Sequence, residues 1–460
     1  MCVLCPPTIS CGSRGGVLAF YGAPGTGQRW RKKRRKKKKK EKRKEEKRRE
    51  EKKAATCVVD PTTTTPLLLS LSLFLILMLS IVFSLLASVI ACPNVTVVYT
   101  PSHSQINASS DVSNRHGVED GIVVRRADGG FTMICAEMYS DPKWVAMRLG
   151  VWFSRDAMTW TKVRTLRNSS ANFDGTSQHS SSWGPFFVYD GAFWTLSYVG
   201  YRGAPSNGSG WLENFDGTIF AQRAAQQGDA GLDSDFGDSA GYAPWANDTV
   251  LLQPDDFDVN GPWPHVCQGL QGTDSMFPFV LNDGTWAALV GTSHQETPNQ
   301  YGPGKWPVAL ATAGSLFGPW TRRNTDNPSA PADAPCVDLN GGYSENPIVS
   351  RRPDNVRSFQ LVMDYLGREE SGFGYACSAN GLDWEGASLV PVPGGVRTPF
   401  GLLPLTDAEV LAWTPEIIEY GVINASEIGA HNTSLQWLFY SVNTPQNWEE
   451  FRATIVQLNW

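Results

Sequence analysis

From residue 92 onward the apolar positions fall in short runs rich in β-branched and aromatic residues, each cut off by Gly, Pro, Asn or Asp. Almost none of this stretch has helical periodicity, so it predicts strands joined by turns, an all-β domain. The runs recur on one plan. GIVVRRADGGFTMICAEMY (121–139), GPFFVYDGAFWTLSYVGY (184–201), FPFVLNDGTWAALVGT (277–292) and NPIVSRRPDNVRSFQLVMDYLG (346–367) each start with a short apolar strand, pass a polar turn and continue into an aromatic-rich strand. Asp-Gly at three of these turns is a hairpin signal, because both residues tolerate positive φ. TPFGLLPLTDAEVLAWTPE (398–416) is a fifth, weaker copy.

The small or Pro residues that start the copies are Gly121, Pro185, Pro278, Pro347 and Pro399, a spacing of about 70 residues. A period of that size with about four strands per unit suits the blades of a propeller, whereas a sandwich has turns every 8 to 12 residues and no longer period. Later in two units the phrases SRDAMTW (154–160) and SANGLDW (378–384) correspond, and LFGPWTR (316–322) is a related ending. The expectation is a five-bladed β-propeller over 92–460. VTVVYT (95–100) would complete the ring beside the C-terminal strands, and the Gly- and Asp-rich stretch 203–270 would be an extended loop.

Upstream the pattern changes twice. Leu67 to Ala91 carries no charge over 25 residues, enough as a helix to span roughly 37 Å against a hydrocarbon core of about 30 Å. Residues 66–91 are therefore expected to form a transmembrane signal anchor, or a signal peptide cut near Ala91. Residues 1–65 form a Lys/Arg-rich arm that is expected to be disordered; from Arg29 to Lys53 it has 19 Lys or Arg against five Glu. The body from Cys92 has 20 Lys or Arg against 39 Asp or Glu, so the formal net charge of -5 hides a cationic arm and an acidic domain. Beside an apolar span, such an arm sets topology and touches anionic lipid, and no nucleic-acid partner is expected. The orientation is type II, with a lumenal or extracellular C-terminal domain, membrane-anchored or secreted after cleavage.

Seven Asn-x-Ser/Thr acceptors, Asn94, Asn107, Asn168, Asn207, Asn247, Asn424 and Asn432, all lie beyond the apolar segment, in keeping with a glycoprotein of the secretory pathway. Of the cysteines beyond Ala91, Cys135, Cys267, Cys336 and Cys377 allow three pairings, and Cys92 is expected to be the odd one. No CxxC spacing among these cysteines suggests a metal, and no metal or organic cofactor is expected.

A propeller gathers the innermost strands of all blades around one axis, so residues at the starts of the repeats should meet. Asp120 stands before Gly121, Asp274 opens TDSMFPFVLNDG, and Glu345 precedes Asn346-Pro347; Glu119 is an adjacent fourth acid. Trp183, Tyr343, Phe186 and Phe277 are candidates for a sugar-stacking floor, Arg397 for binding a hydroxyl or carboxylate or for pairing with an acid, and His179, His265 and His294 for polar contacts.

EDGIVVRRADGG, TDSMFPFVLNDG and YSENPIVSRR, in that order and with WGPFFVYDG between the first two, resemble glycoside hydrolase family 43 and its arabinanase, arabinofuranosidase and xylosidase relatives. The resemblance covers roughly residues 116–460. It departs at Gly121, where Pro is usual, at one extra residue after Asp274, and in the fifth repeat, which has no His-bearing phrase. It implies a glycosidase for arabinose-, xylose- or galactose-containing glycans, with Asp120 as general base, Asp274 orienting the acid and tuning its pKa, and Glu345 as general acid. Inverting hydrolysis requires such a division of roles between two carboxyl groups. The alternative expectation is a non-catalytic propeller that binds glycan or protein at a cell surface. The sequence leaves the oligomeric state open.

Overall fold

Leu85–Trp460 forms one compact unit. The computed structural model describes residues 92–99, 105–106, 117–140, 146–170, 177–201, 217–233, 236, 248–253, 270–294, 308–322, 343–366, 371–385, 387–412, 434–443 and 449–459. The arm and the apolar segment 67–91 lie outside the described residues, among which no helix is long and apolar enough to cross a membrane.

The domain is an all-β, five-bladed propeller. Blade 1 is β3 (Val118–Arg125), β4 (Phe131–Met138), β5 (Met147–Ser154) and β6 (Thr159–Asn168), with the two-residue β2 (Gln105–Ile106) beside β6. Blade 2 is β7 (Ser181–Tyr189), β8 (Phe193–Tyr201), β9 (Gly217–Gln227) and β10 (Thr249–Leu252), with a single helical turn, α1 (Asp229–Leu232), after β9. Blade 3 is β11 (Leu270–Val280), β12 (Trp286–His294), β13 (Val308–Ala313) and β14 (Thr321–Arg322); one residue pair, Thr273 with Gly217, joins its sheet to that of blade 2. Blade 4 is β15 (Tyr343–Arg351), β16 (Phe359–Leu366), β17 (Gly372–Ser378) and β18 (Ser388–Pro391). Blade 5 takes β19 (Thr398–Pro404), β20 (Leu435–Asn443) and β21 (Glu449–Asn459) from the C-terminal end, and β1 (Asn94–Tyr99) from the other end of the domain.

The five repeat starts thus become the five inner strands. They abut in a closed circle: β3 on β7, β7 on β11, β11 on β15, β15 on β19, and β19 back on β3. Packed on both faces, the second strands are buried on both sides; every residue of FTMICAEM in β4 is buried, Thr132 and Glu137 included. The hairpin turns form as the sequence predicts. Gly129, Gly191 and Gly284 have φ of 85°, 96° and 85°, and in the same turns Asp128, Asp190 and Asp283 accept backbone N–H bonds from Gly130, from Ala192 and Phe193, and from Thr285. Those bonds hold the exposed Asp283 carboxyl below its ordinary pKa. The corresponding phrases fold alike as well. Asp156 and Asn380 each accept two backbone N–H bonds while Ala157 and Gly381 sit at positive φ, and both turns join the third strand of a blade to its fourth.

Two expectations are corrected. The stretch 203–270 is not simply a loop, since it supplies β9 and β10, half of blade 2; the Gly- and Asp-rich segments on either side masked these two strands. Cys92 is not the odd cysteine but is disulfide-bonded to Cys377 of β17, with Cα atoms 5.4 Å apart. Ring closure brings them together over 285 residues, which local spacing cannot reveal. Cys135, by contrast, is a free, fully buried thiol in β4, raised well above its ordinary pKa by desolvation. Cys267 and Cys336 lie outside the described residues.

Closure rests on β1, which pairs antiparallel with β21 from Asn94 opposite Asn459 to Tyr99 opposite Ile455. Between blades 5 and 1, the Arg125 guanidinium donates to both oxygens of Glu409, at 3.1 and 2.9 Å, and to the Pro404 carbonyl. Peptide mapping under non-reducing conditions is expected to recover Cys92 linked to Cys377. Replacing Cys377 by Ala should cost about 3–5 kcal/mol of unfolding free energy, the range for a bond closing a long loop. A freely reactive Cys92 thiol in the native protein would contradict this closure.

Candidate functional site

The inner strands of blades 1, 2 and 4 break register at corresponding places: between Glu119 and Gly121, between Trp183 and Phe186, and between Glu345 and Ile348. Such bulges re-aim side chains. Here they coincide with left-handed backbone at Asp120 (φ 40°), Gly184 (φ 49°) and Asn346 (φ 49°). Glycine adopts this conformation freely, but Asp and Asn pay of order 1–3 kcal/mol when the surroundings impose it.

These strained residues meet at the axis. The Asn346 side-chain amide donates to Asp120 Oδ1 at 2.7 Å and to Asp364 Oδ2 at 3.2 Å. The Thr398 hydroxyl lies 3.3 Å from Asp364 Oδ2 and 3.5 Å from Asp120 Oδ1, so its one proton serves either acceptor. A Cβ built on Gly184 would lie 3.8 Å from Ser275 Cβ and 3.9 Å from Asn346 Oδ1, which brings blades 2 and 3 to the same point. Blade 5 adds Arg397 just before β19. Its guanidinium is 2.5 Å from Glu119 Oε1, 3.5 Å from Asp364 Oδ2 and 3.7 Å from Glu345 Oε2.

The cluster therefore gathers four acids from two blades, three of them around one guanidinium and Asp120 joined to them through Asn346 and Thr398. All four are buried, with exposures of 0% for Glu119 and Asp364, 4% for Asp120 and 6% for Glu345. Burial pushes the Asp364 carboxyl well above its ordinary pKa, and Glu119 adds to the rise, against the opposing effects of Arg397, Asn346 and Thr398. Among the described residues, Asp364 Oδ1 is buried without a hydrogen-bond partner. No group of three or more His, Cys, Asp or Glu among the described residues could hold a metal ion.

Of the residues expected from the sequence, Asp120, Glu345 and Arg397 come together here, with Glu119 beside them. Asp274 and Tyr343 lie in β11 and β15 and His294 ends β12, but their side chains, like the whole of His265, are outside the described residues. Trp183 is next to the cluster in sequence, yet its indole is buried, donates to Ser181 Oγ at 2.6 Å and meets Tyr201 edge-on. Phe186 and Phe277 are buried edge to face at 5.3 Å, as core rather than as an open floor.

His179 packs its ring 4.4 Å from that of Phe220 in β9. Desolvation, helped by the charge of Arg167, lowers its pKa to about 4 from 6.5. Asp364 is the residue the repeat did not reveal. It is directly opposite Glu345 in the β15–β16 register, and its one signal in the sequence is a single acid inside the otherwise apolar run LVMDYL.

A cavity of about 240 Å³ opens at the far ends of β7, β11 and β15, where Phe187, Phe279, Phe359 and Arg351 line it. It is several residues along the strands from the carboxylates. Its one cation, Arg351, lies over the Phe359 ring and donates to Val280 O and Asn282 Oδ1.

No protein-family model matches the chain, and no curated protein is significantly similar to it. Solved structures of similar arrangement include a family 117 glycoside hydrolase produced by the marine bacterium Zobellia galactanivorans. It is 11% identical, with a TM-score of 0.47, over 79% of this chain and 91% of that one. An alpha-L-arabinofuranosidase from Lactobacillus brevis is 12% identical, with a TM-score of 0.43, over 75% of this chain and 93% of that one. The family 93 alpha-L-arabinofuranosidase of Fusarium graminearum, solved with arabinobiose, is 13% identical, with a TM-score of 0.41, over 72% of each chain. Likeness at this level leaves the chemistry to be argued from the side chains.

Because the folded His179 has the lower pKa, the unfolded chain takes up a proton first as pH falls. Its contribution to stability is present above about 6.5 and is lost as the pH falls towards about 4. Replacing His179 by Phe is expected to flatten that part of the unfolding-temperature profile, and an unchanged slope between the two pH values would contradict the burial of a neutral imidazole.

Proposed function

We propose that the propeller is an inverting glycosidase for neutral glycans containing arabinose, xylose or galactose. The observation that carries this reading is the meeting of buried Asp120 and Glu345, from bulges in two different blades, in one network: Asn346 and Thr398 link Asp120 to Asp364, and Arg397 links Asp364 to Glu345. Strained, desolvated carboxyl groups at the convergence of separate strands cost stability, and a scaffold alone does not need them.

In the proposed reaction Glu345 gives its proton to the glycosidic oxygen as the bond to the anomeric carbon breaks. Asp120 takes a proton from water, whose oxygen attacks the opposite face of that carbon. The Asn346 amide on Asp120 Oδ1 orients the base and favours its charged form. Asp274, in the third inner strand, is assigned to orienting and tuning the acid. Arg397 is engaged with Glu119, Glu345 and Asp364, so it balances carboxylates rather than capturing one from the substrate. Among the described residues the cluster's one cation is already taken up by its own carboxyl groups, which leaves it nothing to offer an anionic sugar; this favours neutral substrates.

We also read the domain as lumenal or extracellular, on a type II anchor or released from it. The Cys92–Cys377 bond suits an oxidising compartment, and the acceptors Asn94 and Asn168 are exposed.

The test is release of sugar from a panel of arabinosides, xylosides and galactosides by the full chain. Glu345→Gln and Asp120→Asn should each fold and lower turnover by about 10²- to 10⁴-fold. A wild-type protein inactive on the whole panel, or a Glu345→Gln variant with unchanged activity, would sink the reading in favour of a binding propeller.

A further inference from the structure

We propose that Asp364 is the positioning residue of the axial site, the one acceptor through which Asn346, Thr398 and Arg397 hold Asp120 and Glu345 in place. Oδ2 of Asp364 is within 3.2 Å of the Asn346 amide, 3.3 Å of the Thr398 hydroxyl and 3.5 Å of the Arg397 guanidinium. Each of these donors also reaches an acid assigned to the chemistry: Asn346 and Thr398 reach Asp120, and Arg397 reaches Glu345. Asp364 is fully buried, so it orients the reacting groups without touching a substrate.

Its place in the fold suits this role. Asp364 belongs to β16, the second strand of blade 4, directly across from Glu345, and two of its three donors come from blade 5 at Arg397 and Thr398. It therefore ties the acid-bearing strand to the next blade while Asn346 ties it to blade 1. Fixing the tilt of Asn346 matters because its backbone is held at positive φ and its amide spans two carboxylates. Without an acceptor at Asp364 the amide has one partner in place of two and can swing, carrying Asp120 with it.

The catalytic meaning of this assignment rests on the glycosidase reading, so the experiment has two arms. In the first, independent of any substrate, exchange of the Asn346 side-chain amide protons is followed by NMR in the full chain, with the signals assigned by their loss in Asn346→Ala. Asp364→Ala should speed that exchange by about ten-fold or more, whereas Asp364→Asn, which keeps an acceptor oxygen, should stay within about three-fold of wild type. If Asp364→Ala does not fold, Asp364→Leu, which fills the space but offers no acceptor, should speed exchange in the same direction.

In the second arm, Asp364→Ala should lower kcat by about 100-fold with KM changed by less than about three-fold, and Asp364→Asn should recover most of kcat. Exchange unchanged in a folded Asp364→Ala or Asp364→Leu variant overturns the positioning role even if the protein is a glycosidase. Faster exchange in a protein that hydrolyses no glycoside upholds the network and removes the glycosidase reading alone.

Discussion

Closure of the ring is the constraint on which the rest of the molecule depends. Blade 5 has three strands of its own after residue 398, and its fourth, β1, comes from the other end of the domain. Blades 1 and 5 cannot bury the faces they turn to each other until the circle is complete, and the pairing of β1 with β21 completes the last blade of that circle. The Cys92–Cys377 bond then fixes the entry of β1 against blade 4, and the bidentate contact of Arg125 with Glu409 joins blade 1 to blade 5.

A closed ring can hold what a free hairpin would relax. Asp120 and Asn346 keep left-handed backbone because their strands are gripped on both faces, and their side chains bond to each other across 226 residues. Four buried acids gathered beside a single guanidinium, three of them within its reach, would be ruinous unless charge were shared and protons retained. The raised pKa of Asp364 is the proton-retaining side of that balance, and the contacts of Arg397 with three carboxyl groups are the charge-sharing side. Left-handed backbone and buried carboxyl groups thus coincide where the inner strands of blades 1 and 4 begin, while phenylalanines line the cavity at their far ends.

Much of this was legible in the sequence because the signals were local. Asp-Gly turns, paired Ser-x-Asp/Asn phrases and the regular return of a small or Pro residue before an apolar run specify hairpins and their period. They led to five inner strands and to Asp120, Glu345 and Arg397 at their starts. What stayed hidden depended on contacts between distant residues. Cys92 looked unpaired because its partner is brought to it only when the last blade closes. The strands of blade 2 beyond residue 216 were lost in Gly and Asp, and Asp364 sat within an apolar run whose partner strand, not its own period, aims it at the axis.

The most direct measurement is the configuration of the first sugar released from a substrate of known anomeric form, read by proton NMR before mutarotation. Acid and base work by Glu345 and Asp120 on opposite faces predicts the inverted anomer as the initial product. A retained anomer, or release undiminished when both carboxyl groups are replaced by amides, would contradict the account.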